Sequence, residues 1–179
     1  MAKLQSKLKL GKSSAFGKRR LLWLPQKNLV QNADFYPLPE TVSGNRSLWF
    51  GMVVSHHNGS LQSQEILEHA PTVNDLAKLL ADAMRSPLTD EDRCRPKAIH
   101  FRDNPEWDEL FPHLEQLGIQ IVITESLRAW DEVADDFITY LEHWRSTHRP
   151  ESYRDFAEEL LELRLTAILF PPKQRSRIS

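Results

Sequence analysis

Apolar runs separated by turn residues indicate where the strands of this chain lie. An unbroken apolar run at residues 48–54 predicts a strand buried on both faces. The more polar run at 61–67 predicts its return strand, nearer to an edge of the sheet. Asn58-Gly59 stands between them and predicts a type I′ hairpin turn, because both residues tolerate a positive φ. Apolar runs at 97–101 and 119–123 predict two further strands, the second buried on both faces.

The chain before residue 48 has a less regular pattern. The run at 20–25 predicts a short first strand that ends at its proline. Residues 34–45 contain Pro37 and Pro39 together with serine and glycine. This composition predicts an irregular connection between the first strand and the apolar strand that follows.

Apolar residues at helical spacing predict three helices after the hairpin. The first begins at the capping residue Thr72 and ends before Pro87. The second covers 104–117, but Pro112 in its interior removes one backbone hydrogen bond, so we expect a kink or two short helical pieces. The third covers 128–144.

A last helix is predicted after Pro150, and its far end at 163–170 is apolar almost all round. Helices that alternate with apolar strands imply βαβ units. We therefore predict an α/β fold in which a mixed sheet has an N-terminal β-hairpin followed by βαβα units, plus a C-terminal helix. A ribonuclease H-like sheet is a candidate for this topology. One domain at 19–170 is expected between a flexible basic arm, 1–18, and a basic tail, 171–179.

Charge is distributed very unevenly along the 179 residues. The net charge is only −2, yet residues 1–33 carry eight Lys and Arg residues and no acid, and the last nine residues carry three more. The body between them has 12 basic and 25 acidic residues. Basic ends on an acidic body are typical of proteins that contact polyanions, here nucleic acid or a ribosome. The residues predicted to bind this anionic partner are Lys3, Lys7, Lys9, Lys12, Lys18, Arg19 and Arg20.

Aromatic residues are scarce in the basic stretch, where only Phe16 and Trp23 occur. A groove for single-stranded nucleic acid uses several aromatic rings for base stacking. The sequence therefore predicts contacts that are directed mainly at phosphates and are not sequence-specific.

Cysteine content and hydropathy exclude several protein classes. The one cysteine, Cys94, permits no disulfide within the chain, and no apolar run approaches the length of a membrane span. The first residues lack the apolar core of a secretory signal. We expect a soluble, cytoplasmic protein that does not contact membranes. Arg93 and Arg95 flank Cys94, and neighbouring cations of this kind can lower a thiol pKa, but with no identifiable base or orienting partner Cys94 is expected to be incidental.

Candidate catalytic residues follow the predicted strands. If the strands at 48–54, 97–101 and 119–123 are parallel neighbours, their carboxyl ends bring together His56, Asp103 and Glu125. Two-metal hydrolysis needs several carboxylates, and two form a sparse set. The other interpretation is that Asp103 caps a helix and Glu125 is solvated. The histidines show no spacing typical of a metal site, so no metal and no cofactor is predicted.

The third predicted helix carries an acidic outer face. Asp131 with Asp135 and Glu132 with Asp136 are like-charge pairs four residues apart, which destabilise an isolated helix slightly. This face is either simply solvated or receives a basic protein partner, for which the basic arm of the chain is itself a candidate.

Four short segments resemble an uncharacterised bacterial α/β domain family of unknown function. They are 20–26, the strand end Met52-Val53-Val54, residues 95–99 and Leu117-Gly118-Ile119. The resemblance covers about residues 20–144 and implies no activity. Members of this family often have an acid just after the apolar strand, where this chain has Ser55 and His56. This departure weakens the case for carboxylate chemistry.

These patterns favour a non-enzymatic interaction protein whose basic arm contacts an anionic partner. Two alternatives stay open. One is a metal-dependent nuclease-like or phosphoesterase-like enzyme that uses Asp103, Glu125 and His56. The other is a protein–protein adaptor or homodimer that associates through the apolar C-terminal helix at 163–170.

Overall fold

A five-stranded mixed sheet forms the centre of the protein, with the strand order β3-β2-β1-β4-β5. The structure, a computed structural model, describes residues 7–10, 16–40 and 47–147. The strands are β1 (Val30–Pro37), β2 (Trp49–Ser55), β3 (Leu61–Leu67), β4 (Ala98–Phe101) and β5 (Gln120–Ile123). The helices are α1 (Lys18–Leu22), α2 (Val73–Arg85), α3 (Phe111–Glu115) and α4 (Arg128–Thr147), with a short 3-10 helix at Pro105–Trp107.

The strand directions give the sheet its mixed character. β1, β2 and β3 form an antiparallel meander, whereas β4 pairs parallel with β1 and β5 pairs parallel with β4. The prediction of an α/β fold with a mixed sheet is confirmed. The β2–β3 hairpin is also confirmed, but its turn differs from the prediction. Gly59 has a φ of +68°, while Asn58 has no positive φ, and Gly59 N–H donates to Ser55 O at 2.9 Å.

The first part of the chain folds differently from its prediction. The strand predicted at 20–25 is wrong: α1 covers Lys18–Leu22, because a helical turn buries Leu21 and leaves its basic neighbours exposed. The irregular connection predicted at 34–45 is wrong up to Pro37, since β1 is the central strand of the sheet. Buried polar residues, Gln31 and Asn32, replace the apolar ones by which a central strand is ordinarily recognised.

β5 lies at one edge of the sheet. Its two end residues, Gln120 and Ile123, are exposed, so the predicted burial on both faces is wrong. β3 occupies the opposite edge, as predicted. The parallel arrangement predicted for the strands at 48–54, 97–101 and 119–123 holds only for the last two, because β2 pairs with β1 in the antiparallel direction.

Each face of the sheet has its own hydrophobic core. On one face α2, the 3-10 helix and α3 pack around Leu76, Ile99 and Phe101. α4 covers part of the other face, where Trp130 packs with Phe50 and Met52 of β2. The Trp130 indole N–H donates to Met52 O at 3.0 Å, which fixes α4 to the sheet.

The predicted helix boundaries follow from local chemistry. Thr72 and Asp75 form a reciprocal capping box at the start of α2, with Thr72 N–H donating to the Asp75 carboxylate at 2.8 Å. The segment predicted at 104–117 is divided into the 3-10 helix and α3, with Pro112 in the first turn of α3, where a proline costs no hydrogen bond. Gly118 ends the segment with a φ of +76°.

The described parts of the basic arm are packed against the body. Leu8 and Phe16 are buried in the core with 7% and 2% exposure. Leu8 N–H donates to Glu109 at 3.1 Å, and Lys9 N–H donates to Asn74 at 2.8 Å. The charge pattern concealed these two apolar anchors.

Several predictions fall outside the described residues. They are the remainder of the arm (1–6 and 11–15), the last helix after Pro150 with its apolar end, and the basic tail at 171–179. Among the residues that the structure does describe, no helix combines the length and the apolar character needed to cross a membrane.

Candidate functional site

Polar residues line neighbouring strands on the face of the sheet that α4 partly covers. Asn32 of β1 is paired in register with His100 of β4. Asp34 and Arg102 lie two residues further along the chain from them. Since side chains alternate along a strand, all four project from the same face. They form what we call the polar strip.

One end of the polar strip is an ion triad. The guanidinium of Arg102 donates through Nη1 to the Asp34 carboxylate and through Nη2 to the carboxylate of Asp131 on α4. Its Cζ also lies 5.5 Å from the ring centroid of Trp130, within reach of a cation–π contact. Arg102 therefore joins two strands and a helix by one planar cation.

Burial and charge act in opposite directions on this triad. Burial raises the pKa of the Asp34 carboxyl, while the hydrogen bond from Arg102 opposes that rise. Burial would lower the pKa of Arg102, but its bonds to Asp131 and Asp34 outweigh this effect and raise it. Arg102 therefore remains a cation and donates hydrogen bonds to both carboxylates.

The other end of the polar strip is a histidine pair. The Nδ1–H of His56, on the turn after β2, donates to Asn32 Oδ1 at 3.0 Å. The rings of His56 and His100 lie 4.7 Å apart between centroids. Burial lowers the pKa of His100, and the neighbouring His56 lowers it further. Asn32 is fully buried, and its Nδ2 has no partner among the described residues.

The polar strip does not form a metal site of the usual composition. In the described ranges, no group of three or more His, Cys, Asp or Glu side chains is arranged to hold a metal ion. Asp34 and Asp131, the carboxylates on either side of Arg102, both already bind its guanidinium. A cation that is part of the chain thus occupies the position between them.

The residues of the predicted trio lie at two opposite ends of the sheet: Asp103 and Glu125 at one end and His56 at the other. Asp103 and Glu125 are exposed on the loops after β4 and β5. His56 follows β2, whose end lies beside the start of β1, because Ser55 pairs with Gln31. The antiparallel direction of β2 therefore separates His56 from the other two, contrary to the parallel arrangement on which their convergence was predicted.

The predicted anion-binding residues that the structure describes lie on two segments, residues 7–9 and α1, whose apolar anchors belong to the core on the face of the sheet opposite α4. Lys3 and Lys12 fall outside the described residues. Lys7, Lys9, Arg19 and Arg20 are exposed and Lys18 is half-buried. We call these five described residues the α1 surface.

The aromatic residues near the α1 surface have different environments. Phe16 is buried in the core, whereas the side chain of Trp23 is 88% exposed. Arg19 and Arg20 precede Trp23 by four and three residues, a spacing that places side chains on one side of a helix. Trp23 directly follows α1, as its C-cap residue.

Two minor predictions receive different outcomes. Burial raises the pKa of the Cys94 thiol, so the lowering that Arg93 and Arg95 can cause does not occur. The acidic helix face is partly paired within the chain, since Arg102 binds Asp131 and Arg128 donates to Glu132 at 3.0 Å.

The basic arm does not reach the acidic face of α4 at residues 7–10. Lys9 N–H bonds to Asn74 at the start of α2, and Leu8 N–H bonds to Glu109, next to the 3-10 helix. The remaining acids of the outer face, Asp135 and Asp136, are exposed. A basic protein partner for this face stays a prediction.

Sequence reasoning missed most of the polar strip. Asn32, Asp34 and Arg102 were not considered as site residues, and Asp131 was considered only as part of an acidic face. A signal was nevertheless present: polar residues recur every second position at 32–34 and 100–102, which places them on one face of a strand.

The sequence profile of a domain of unknown function (DUF6930) matches residues 18–138. The chain belongs to this family. This match confirms the predicted resemblance to an uncharacterised domain family. No curated protein matches the chain in sequence.

Solved structures show which fold the DUF6930 domain has. The catalytic core domain of BIV integrase is similar with a TM-score of 0.54 and 12% identity, over 85% of this chain and 88% of that one. A chain of the simian T-cell lymphotropic virus intasome in complex with PP2A regulatory subunit B56 gamma is similar with a TM-score of 0.55 and 16% identity. That match covers 84% of this chain, which spans about half the length of the other (50%). The fold of the DUF6930 domain is ribonuclease H-like.

Proposed function

We propose that the DUF6930 domain of this chain is a non-enzymatic module that binds the phosphates of a nucleic acid through the α1 surface. Lys7, Lys9, Lys18, Arg19 and Arg20 supply the positive charge. Nucleic-acid backbones are recognised mainly by such cations, and the association is strongly salt-dependent.

The observation that carries this proposal is the anchoring of the cations. Leu8, Phe16 and Leu21 are buried in the core, next to or within the basic segments. The cations therefore project from a folded surface and lose less entropy on binding than cations on a free tail. The first 33 residues contain no acid, and the carboxylate described in contact with the segment at 7–9 is Glu109, which accepts from Leu8 N–H.

The ion triad supports a non-enzymatic role. Metal-dependent hydrolysis requires carboxylates that are available to metal ions. Asp34 and Asp131 are instead both bonded to the guanidinium of Arg102. The nuclease-like alternative with Asp103, Glu125 and His56 stays a prediction, and Mg²⁺- or Mn²⁺-stimulated cleavage abolished by Asp103→Asn would support it over this proposal.

The test compares charge variants of the full chain. Removing residues 1–18 would also remove Leu8 and Phe16 from the core, so a truncation confounds binding with stability. The variant Lys18→Gln/Arg19→Gln/Arg20→Gln is matched by Arg93→Gln/Lys97→Gln/Arg128→Gln, which makes the same charge change at exposed positions elsewhere. Binding is measured by fluorescence anisotropy with a labelled oligo(dT) and with a duplex, over a range of salt concentrations.

We expect the α1 surface variant to bind both nucleic acids more weakly than the wild type. The affinities of the matched control should stay much closer to those of the wild type. The slope of log K against log salt is negative, and each lost phosphate contact reduces its magnitude by roughly 0.7 for a single strand. Loss of three contacts should therefore reduce the magnitude of the slope by about 2. Equally weak binding of the nucleic acids by both variants and the wild type would refute the proposal.

A further inference from the structure

An exposed tryptophan stands next to the cations of the α1 surface. Trp23 is 88% exposed, more than any other large hydrophobic residue in the described part of the chain. Single exposed apolar residues are common on protein surfaces and by themselves indicate nothing. The surroundings of Trp23 are what distinguish it.

The backbone on both sides of Trp23 is held in place. Leu21 anchors α1 in the core on one side. On the other side, Arg95 Nε donates to Leu24 O at 3.0 Å and Arg95 N–H donates to Pro25 O at 2.8 Å. The indole therefore projects from a fixed segment and not from a mobile tail. A ring fixed in this way loses little entropy when a ligand covers it.

Charge on the same side of the helix selects the ligand. Arg19 and Arg20 lie on the side of α1 that continues into Trp23, and both are exposed. An exposed ring that follows two arginines by one helical turn fits a ligand with both a flat ring and a nearby anion. An unpaired nucleotide has this composition, since its base stacks on the ring while its phosphate meets the cations.

We infer that Trp23 is a stacking platform for an unpaired base, and that the α1 surface therefore prefers single-stranded over double-stranded nucleic acid. This inference rests on the proposed function and specifies its ligand. A duplex keeps its base faces inside the stack, so it offers the phosphates to Arg19 and Arg20 but no face to Trp23. The scarcity of aromatic residues predicted contacts directed mainly at phosphates, and a single exposed ring adds base stacking to that expectation.

The experiment uses the full chain with Trp23→Ala, and Tyr140→Ala as its control. Tyr140 is an exposed aromatic residue on α4 (46% exposed), away from α1. Both variants should retain the wild-type thermal midpoint, because neither side chain is buried. Affinities for oligo(dT) and for a duplex of equal length are measured at one low salt concentration.

We expect Trp23→Ala to weaken oligo(dT) binding by about tenfold or more and duplex binding by no more than about twofold. Tyr140→Ala should change neither affinity. Oligo(dT) should also quench tryptophan fluorescence in the wild type, since all five tryptophans lie within the described residues and only Trp23 is fully accessible. This quenching should disappear in Trp23→Ala.

The outcomes separate the inference from the proposed function. The inference is wrong if Trp23→Ala leaves oligo(dT) binding unchanged, or weakens the binding of oligo(dT) and of the duplex equally. The proposed function still stands in that case if Lys18→Gln/Arg19→Gln/Arg20→Gln weakens the binding of both. If the charge variant also changes nothing, the proposed function is wrong as well. Binding to vesicles containing phosphatidylserine that depends on Trp23, without any effect of Trp23 on oligo(dT) binding, would overturn the inference in favour of a membrane surface.

Discussion

Gly51 of β2 lies directly against the ring of Phe35 on the neighbouring strand β1, its partner in the antiparallel register. A Cβ atom built on Gly51 would stand 2.3 Å from Cε1 of Phe35. The ring is itself buried in the core, so it has little room to move away. The absence of a side chain at Gly51 therefore lets Phe35 lie flat over the centre of the sheet.

The first prediction concerns this contact. Gly51→Ala should lower the free energy of unfolding by about 1–3 kcal/mol, because the added methyl overpacks the core. Urea denaturation measures the change. Gly17→Ala is the control, since its Cβ would meet only the flexible side chain of Arg20 at 3.7 Å. Pairing Gly51→Ala with Phe35→Leu should recover part of the loss if the ring is the obstacle, and no recovery would contradict the assignment.

The second prediction concerns the ion triad. Arg102→Met should destabilise the protein by about 1–3 kcal/mol, since it leaves the mostly buried Asp34 carboxylate without its cation. The double variant Asp34→Asn/Arg102→Met should lose less free energy of unfolding than Arg102→Met alone. Arg128→Met, which removes a fully exposed ion pair with Glu132, should stay within about 0.5 kcal/mol of the wild type. A loss for Arg102→Met no larger than for Arg128→Met would contradict the role of the triad.

The third prediction concerns pH and the histidine pair. The pKa of His100 is lowered in the folded protein, so the unfolded chain takes up a proton first as the pH falls. His100 therefore makes its full contribution to stability above about pH 6.5 and loses it as the pH falls towards its folded pKa. The titratable and charged groups near it are His56 and, on the polar strip itself, Asp34 and Arg102.

The measurement is the thermal midpoint at several pH values between about 7.5 and 5.5. His100→Gln should show a smaller drop over this interval than the wild type. His57→Gln is the control, because His57 is exposed in the same turn as His56. Identical pH profiles for His100→Gln and the wild type would show that His100 does not titrate as inferred.

The fourth prediction concerns the anchors of the basic arm. Phe16→Ala should cost about 3–5 kcal/mol, the usual loss for a fully buried phenylalanine. Because that variant is expected to be poorly folded, Phe16→Leu serves as a milder one, with a loss of about 1 kcal/mol. Leu10→Ala, at a position that is 47% exposed, should have almost no effect. Equal stabilities for the Phe16 and Leu10 variants would mean that the arm is not anchored.

Local signals made much of the fold predictable. α2 could be recognised because its apolar stripe, the cap Thr72 and the stop at Pro87 agree with one another. The division of the segment around Pro112 followed from the missing N–H of proline. β1 could not be recognised, because its buried positions include Asn32 and Gln31, and polar residues at buried positions are unusual outside special sites.

The candidate site was less predictable for a different reason. Asp34, Arg102 and Asp131 belong to three elements, and only the order of the strands brings them together. The prediction that β2 runs parallel to β4 placed His56 beside Asp103 and Glu125, whereas its antiparallel direction places His56 beside His100. The direction of β2 relative to β4 was missed because β1, the strand that lies between them and pairs antiparallel with β2, was not recognised.

The ion triad has a consequence for how long the native state persists. Asp34 and Arg102 are 68 residues apart in sequence, and Asp131 follows Arg102 by 29. Bonds across such long loops need three separate elements in place, so we expect them to form late, once β1, β4 and α4 have assembled. Interactions made after the folding transition state raise the barrier to unfolding and leave the folding rate almost unchanged. We therefore expect Arg102→Met to speed unfolding more than it slows folding, and so to shorten the lifetime of the native state.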